Sequence, residues 1–196
     1  MKTPSNLSDF ELVQEFLDGK QLSLEILINR HRKKIFTYIV VIVKNHSLAE
    51  DIFQDTFIKV INSLRDGRYK DNGRFLSWVL RIAHNLIIDH FRKEKQLNTI
   101  SNDNCETDIF NAKKFSEKTV EENLVCDQIT RDVRKLVQEL PQDQREVIIL
   151  RHYCGLSFKE IADHTNVSIN TALGRMRYAL INLRRLIKEK NLSLSV

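Results

Sequence analysis

Near its C-terminal end the chain reads SINTALGRMRYAL, which sets Asn170, Thr171, Arg175 and Arg177 into one short segment. Amide, hydroxyl and guanidinium groups share a chemistry: they hydrogen-bond to base edges and phosphate oxygens, and arginine serves both. On a helix, Asn170, Thr171, Arg175 and Tyr178 fall on or near one outward face, and Ser168 just before them has the side chain of an N-cap. Arg184, Arg185, Lys188 and Lys190 carry positive charge onward, where phosphates are the natural counterpart. A plain helical hairpin, its last cations only complementing the helix dipole, would use the same residues. Cap, turn and exposed polar face taken together favour duplex DNA.

A helix that enters a major groove needs a second helix to brace it. Ser157 and Glu160 form a capping box that opens a short helix with Ile161 and Ala162 facing inward. The turn HTNVS follows, with Asn166 suited to positive φ. Ala172, Leu173, Met176, Leu180 and Leu183 are then predicted to form the apolar stripe of the second helix. This is helix-turn-helix spacing.

The first half of the chain offers other chemistry. In AEDIFQDTFIKVI, Asp51, Gln54, Asp55 and Ile58, with Asn62 beyond, lie opposite the apolar face. An acidic, amide-bearing surface with one apolar residue repels DNA but suits a partner helix carrying basic groups; a solvated helix face is the bland alternative. Further on, Arg74, Trp78, Arg81, Asn85 and Arg92 recur along one stripe. Cations interleaved with an aromatic ring suit single-stranded DNA, where bases stack and the backbone follows positive charge. Trp78 reads equally well as a core residue with arginines snorkelling over it. The polar loop before it, with Arg68, Tyr69, Lys70, Asp71 and Asn72, could accommodate an unstacked base.

The elements that carry these residues read as helices throughout. Only five glycines and two prolines occur in 196 residues. Four capping boxes mark helix starts, at Ser8 with Glu11, Ser47 with Glu50, Thr119 with Glu122, and Ser157 with Glu160. The segment of about 22–43 ends in the β-branched YIVVIV, yet Leu24, Leu27, Ile28, His31, Ile35 and Ile39 keep the helical period, and no partner strand is evident. Residues 62–74 read as a loop, and a helix resumes from Arg74. Residues 98–118 lose periodicity and gather Asn, Asp, Ser and Lys, as a flexible linker does. A helix from Thr119 to about Glu139 follows, Pro141 is placed at the first position of the next, and Gly155 ends it in a left-handed conformation. The fold class is all-α: two small helical domains, 1–97 and 119–196, joined by the linker, the second a helix-turn-helix domain.

Other functions find little support. The net charge of +5 allows an acidic partner without requiring one. Cys105, Cys126 and Cys154 form no CxxC pair, so no disulfide framework or metal site is expected, and no cofactor is implied. No P-loop, GxGxxG or HExxH occurs, and His84, Asp89 and His90 read as helix residues, so an enzyme is not expected. The longest apolar run, 38–43, is too short to span a bilayer, so membrane insertion is not expected and the location reads as cytoplasmic.

In order, SDFELVQEFLDGK, AEDIFQDTFIKVI, FLSWVLRIAHNLIIDHFRK and LPQDQREVIILRHYCGLSFKEIADHTNVSINTALGRMRYALINLRR resemble segments of bacterial sigma factors of the sigma-70 family, extracytoplasmic-function group. The resemblance covers nearly the whole chain. It implies a protein that binds core RNA polymerase and directs promoter-specific initiation, with an anti-sigma factor as a frequent further partner. It implies docking on polymerase through Asp51, Gln54, Asp55 and Ile58. It assigns the melted minus-ten strand to Arg68, Lys70, Asp71, Asn72, Arg74, Trp78, Arg81, Asn85 and Arg92. The minus-thirty-five duplex falls to Ser168, Asn170, Thr171, Arg175, Arg177, Arg184 and Arg185. Leu173 and Gly174 stand where relatives often carry a basic residue and a serine, which shifts or removes upstream contacts. A free-standing helix-turn-helix repressor or activator is the alternative; it leaves the first domain idle, and the chain shows no dimerisation heptads.

Overall fold

The structure, a computed structural model, describes residues 7–70, 73–97 and 133–191. Among them every regular element is helical. The chain divides into two compact units, Met1–Thr107 and Asp108–Val196. The expected linker at 98–118, the Thr119 capping box, Cys105 and Cys126 lie outside the described residues.

The N-terminal unit holds α1 (Asp9–Leu17), α2 (Gln21–Val43), α3 (His46–Arg65) and α4 (Phe75–Leu97). Ser8 and Glu11 close the expected capping box on α1. Helix α2 starts without a side-chain cap. Its stability comes from burial, the usual source for helices whose local signals are weak: Leu27, Ile35, Tyr38 and Ile39 are fully buried, and α2 packs on α1, α3 and α4. The β-branched run 39–42 is therefore core helix, tertiary packing overriding its strand propensity. Lys44 ends α2 at φ 55 with its N–H donating to the Val40 carbonyl.

Two boundaries in this unit differ from the sequence reading. The cap of α3 is Asn45, whose side chain accepts from the Leu48 N–H, and Ser47 lies inside the first turn. An amide oxygen two residues earlier takes the Leu48 N–H, a different orphan donor of the first turn from the one Ser47 would serve, and the left-handed Lys44 delivers the chain to it. Helix α3 also continues to Arg65, because Leu64 is buried and holds the last turn in the core.

The C-terminal unit begins its described part with helix α5 over 133–139, then α6 (Gln142–Ile148), a widened π segment (Ile149–Cys154), α7 (Phe158–Thr165) and α8 (Ile169–Glu189). Pro141 is the cap of α6 and not its first helical residue; its carbonyl accepts from the Gln144 and Arg145 N–H groups, and its missing N–H is still no loss. Gly155 takes φ 84 at the end of the π segment, as expected. Arg145 belongs to the core, not to a basic surface: it is buried and donates to the Leu140 carbonyl at 3.0 Å. That burial depresses its pKa, since the charged form loses solvation.

Candidate nucleic-acid and partner interfaces

The corner between α7 and α8 is built by short-range caps. Ser157 accepts from the Glu160 N–H while the Glu160 carboxylate takes the Ser157 N–H at 2.9 Å. Asn166 ends α7 at φ 53, ψ 43, and Ser168 caps α8 by accepting from the Thr171 N–H at 3.0 Å. Three polar residues within a dozen positions thus reverse the chain and aim α8. Its buried face consists of Ala172, Met176 and Ala179. Leu173 and Leu180 are off that face, 44% and 39% exposed, which corrects the predicted stripe. Small Ala172 and Ala179 let α8 approach its neighbours closely, and the i, i+4, i+7 line they define with Met176 leaves Leu173 to one side.

The exposed side of α8 presents Asn170, Thr171 and Arg177, with Ser168 before them and Arg184 and Arg185 beyond. Arg185 also meets Glu189 at 3.7 Å. Arg175 is set differently. Its side chain is only 25% exposed, and its Nη2 meets the Asp143 carboxylate of α6 at 2.7 Å. It lies beside a groove of about 580 Å³ lined by Pro141, Asp143, Thr171, Gly174, Arg175 and Tyr178, among others. Gly174, without a side chain, leaves this groove open: a Cβ there would meet nothing within 4 Å. The sequence pointed to neither Asp143 nor the groove, because the two helices that form it are related by tertiary packing and not by period.

In the N-terminal unit, α3 exposes Asp51, Gln54 and Asp55 together, with Ile58 56% exposed beside them. Neither aspartate pairs with a cation among the described residues. The face buried beneath them, with Ile52, Thr56, Phe57, Val60 and Leu64, fixes that orientation.

Helix α4 exposes Arg81, Asn85 and Arg92, the last meeting Asp89 at 3.1 Å, and Arg74 is exposed just before its first residue. Trp78 is half-buried, its ring 4.5 Å from Tyr69 and 5.9 Å from Phe75. One side of the Trp78 ring packs against Phe75 and Tyr69, and the rest of the side chain is accessible. Arg68 is exposed and meets Asp66 at 2.8 Å; Lys70 is exposed; Asp71 and Asn72 lie outside the described residues.

Asp9 ties α1 to α2. It accepts from Arg30 at 2.7 Å and meets the His31 ring at 2.8 Å. Burial pushes its carboxyl pKa up, but hydrogen bonds and charge from His31 and Arg30 outweigh that and leave it below the ordinary value.

Comparison with known proteins follows the same division. Residues 27–96 match Sigma-70 region 2, and residues 130–178 match Sigma-70, region 4. RNA polymerase sigma factor CarQ of Myxococcus xanthus is 30% identical over 93% of this chain and 99% of that protein. The chain belongs to the extracytoplasmic-function group of the sigma-70 family. ECF RNA polymerase sigma factor SigW of Bacillus subtilis is 24% identical over 90% of this chain and 95% of its own. Among solved structures, the sigma factor RpoE bound to the anti-sigma factor NepR from Bartonella quintana aligns with a TM-score of 0.67 at 21% identity, covering 86% of this chain and 98% of that one. CnrH with the cytosolic domain of CnrY gives 0.62 at 21% identity over 92% and 97%. This sigma factor directs promoter-specific transcription initiation with core RNA polymerase. Among the described residues no helix is long and apolar enough to cross a membrane.

Proposed function

We propose that the sigma factor divides its work between two surfaces, with residues 1–97 docking on polymerase and holding the melted minus-ten strand and residues 119–196 reading the minus-thirty-five duplex. The observation that carries this is the unpaired acidic face of α3 at Asp51, Gln54, Asp55 and Ile58, in the same chain as a capped, cationic recognition helix. Such a face suits a basic polymerase helix and no DNA. Arg74 and, on α4, Arg81, Asn85 and Arg92 follow the displaced strand, and Tyr69 with Trp78 offers rings on which a base can stack. Capture of exposed bases offsets the few kilocalories per mole that unstacking costs. On α8, Ser168, Asn170, Thr171, Arg175 and Arg177 meet duplex DNA, and Arg184 and Arg185 meet phosphates. The work is binding and strand capture; no side chain is assigned a catalytic step. An anti-sigma partner completes the reading, as in the RpoE relative solved with NepR.

The test is run-off transcription with purified chain, bacterial core polymerase and a library of upstream DNA. Initiation from a restricted set of fragments only when the chain is present is the expected result. The double change Asp51→Arg and Asp55→Arg should lower polymerase affinity at least about tenfold, since like charges facing each other across an interface cost several kcal/mol. The fold should be unchanged, because both side chains are exposed. Unaltered affinity would refute the docking face. Specific duplex binding without core association would point to a free-standing regulator.

A further inference from the structure

Among the described residues, Arg175 is the one predicted DNA-reading residue of α8 that is held by another helix, and its holder is Asp143 in the first turn of α6. The groove beside the pair is floored by Gly174 and flanked by Thr171 and Tyr178, so it opens on the same side of α8 as two polar or aromatic exposed residues. A free arginine side chain populates many rotamers, and fixing it on binding carries an entropic cost. A guanidinium has five donors in a rigid plane. Its Nη2 forms an ion pair with the Asp143 carboxylate at 2.7 Å, and the 25% of the side chain that remains accessible is what a ligand can reach. Arg177, two residues on, is exposed and has no described partner, so it can follow any phosphate.

We propose that Asp143 is a positioning residue for sequence discrimination, fixing the Arg175 guanidinium so that its remaining donors meet one base edge of the upstream duplex. This rests on the reading of α8 as the duplex-reading helix. The pair divides two tasks that arginines on one helix usually share. Arg175, neutralised and oriented, contributes selectivity; Arg177, mobile and unneutralised, contributes sequence-independent attraction. The open space at Gly174 keeps the guanidinium accessible from the groove.

The experiment uses the holoenzyme: the full chain with core polymerase, on the promoter selected by run-off transcription and on the same fragment with its upstream element scrambled. The quantity read is the ratio of the two affinities. Arg175→Ala should lower the ratio by at least about fivefold, while Asn170 and Thr171 keep it measurably above one. Asp143→Ala should lower it by about three- to tenfold, within the range of coupling between contacting residues, and Asp143→Glu should restore most of it. In an Arg175→Ala background, Asp143→Ala should change the ratio no further. A loss of bulk negative charge would raise affinity for both fragments alike and leave the ratio unmoved. Weakening of α6 through its first turn would act in both backgrounds. An unchanged ratio in Asp143→Ala, or a loss that persists without Arg175, overturns the inference while the duplex reading of α8 stands. An unchanged ratio in Arg175→Ala overturns the role of Arg175 and the inference with it.

Discussion

The two units reach their functional surfaces by opposite routes. In the C-terminal unit, the corner that aims α8 is written in neighbouring residues: Ser157 with Glu160, Asn166 at φ 53, and Ser168 with Thr171. In the N-terminal unit, α2 has no side-chain cap and is placed by distant contacts. Leu27 and Ile35 are fully buried, Asp9 grips Arg30 and His31, and the Tyr38 hydroxyl meets the His84 ring at 2.9 Å. A surface aimed by caps tolerates change in its core neighbours but not in its turn, whereas a surface aimed by packing behaves in reverse.

The largest effect that would break this contrast is in the packed unit. Leu27→Ala should destabilise it by about 2–5 kcal/mol, the range for a buried leucine truncated to alanine. Denaturant unfolding followed by Trp78 fluorescence reads that unit directly, since Trp78 is the only tryptophan. Loss of less than about half a kcal/mol would mean that α2 is not the central support its burial implies.

Removing the Ser168 cap comes next. Ser168→Ala should cost about 1 kcal/mol, visible as faster amide exchange in the first turn of α8, with the Trp78 transition unmoved. Equal slowing or acceleration across both units would erase the distinction drawn between them.

Gly174→Ala should act in the stabilising direction by about 0.4–1 kcal/mol, since a helical glycine becomes alanine in open space. Thermal melting measures it. Destabilisation would show that the groove beside Arg175 is closed to even one methyl group.

The smallest effect belongs to Asp9. Its carboxyl is depressed in the folded chain, so its stabilising contribution is present above the ordinary aspartate value of 3.8 and is lost as pH falls through the lower folded value. Asp9→Asn should therefore lower stability at neutral pH and make the acid limb of the stability curve shallower. An unchanged acid limb would show that the links to Arg30 and His31 carry no net energy, as partly exposed ion pairs often do.

Much of this arrangement was legible beforehand, and the misses have a common cause. Gly155, Asn166, Ser157 and Ser168 were each found by residue type, because a cap or a left-handed residue satisfies a backbone group within four positions. Asn45 and Ser47 are both competent cap residues, and only the left-handed turn at Lys44 chooses between them. Leu173 and Leu180 are apolar and fit a helical stripe with Met176, yet both are exposed. Helical period admits more than one apolar line along α8, and the close approach permitted by Ala172 and Ala179 selected theirs.

The amino-acid sequence by itself determined the helical class, the caps of α1, α7 and α8 and the acidic and cationic faces, since each follows from side chains acting on their own or adjacent turns. The tertiary structure alone decided that Arg175 is held by Asp143, that Trp78 shares its ring with Tyr69, and that Arg145 is core and not surface. Those outcomes depend on which helices meet and at what distance, and electrostatic and packing energies act across space without regard to separation along the chain.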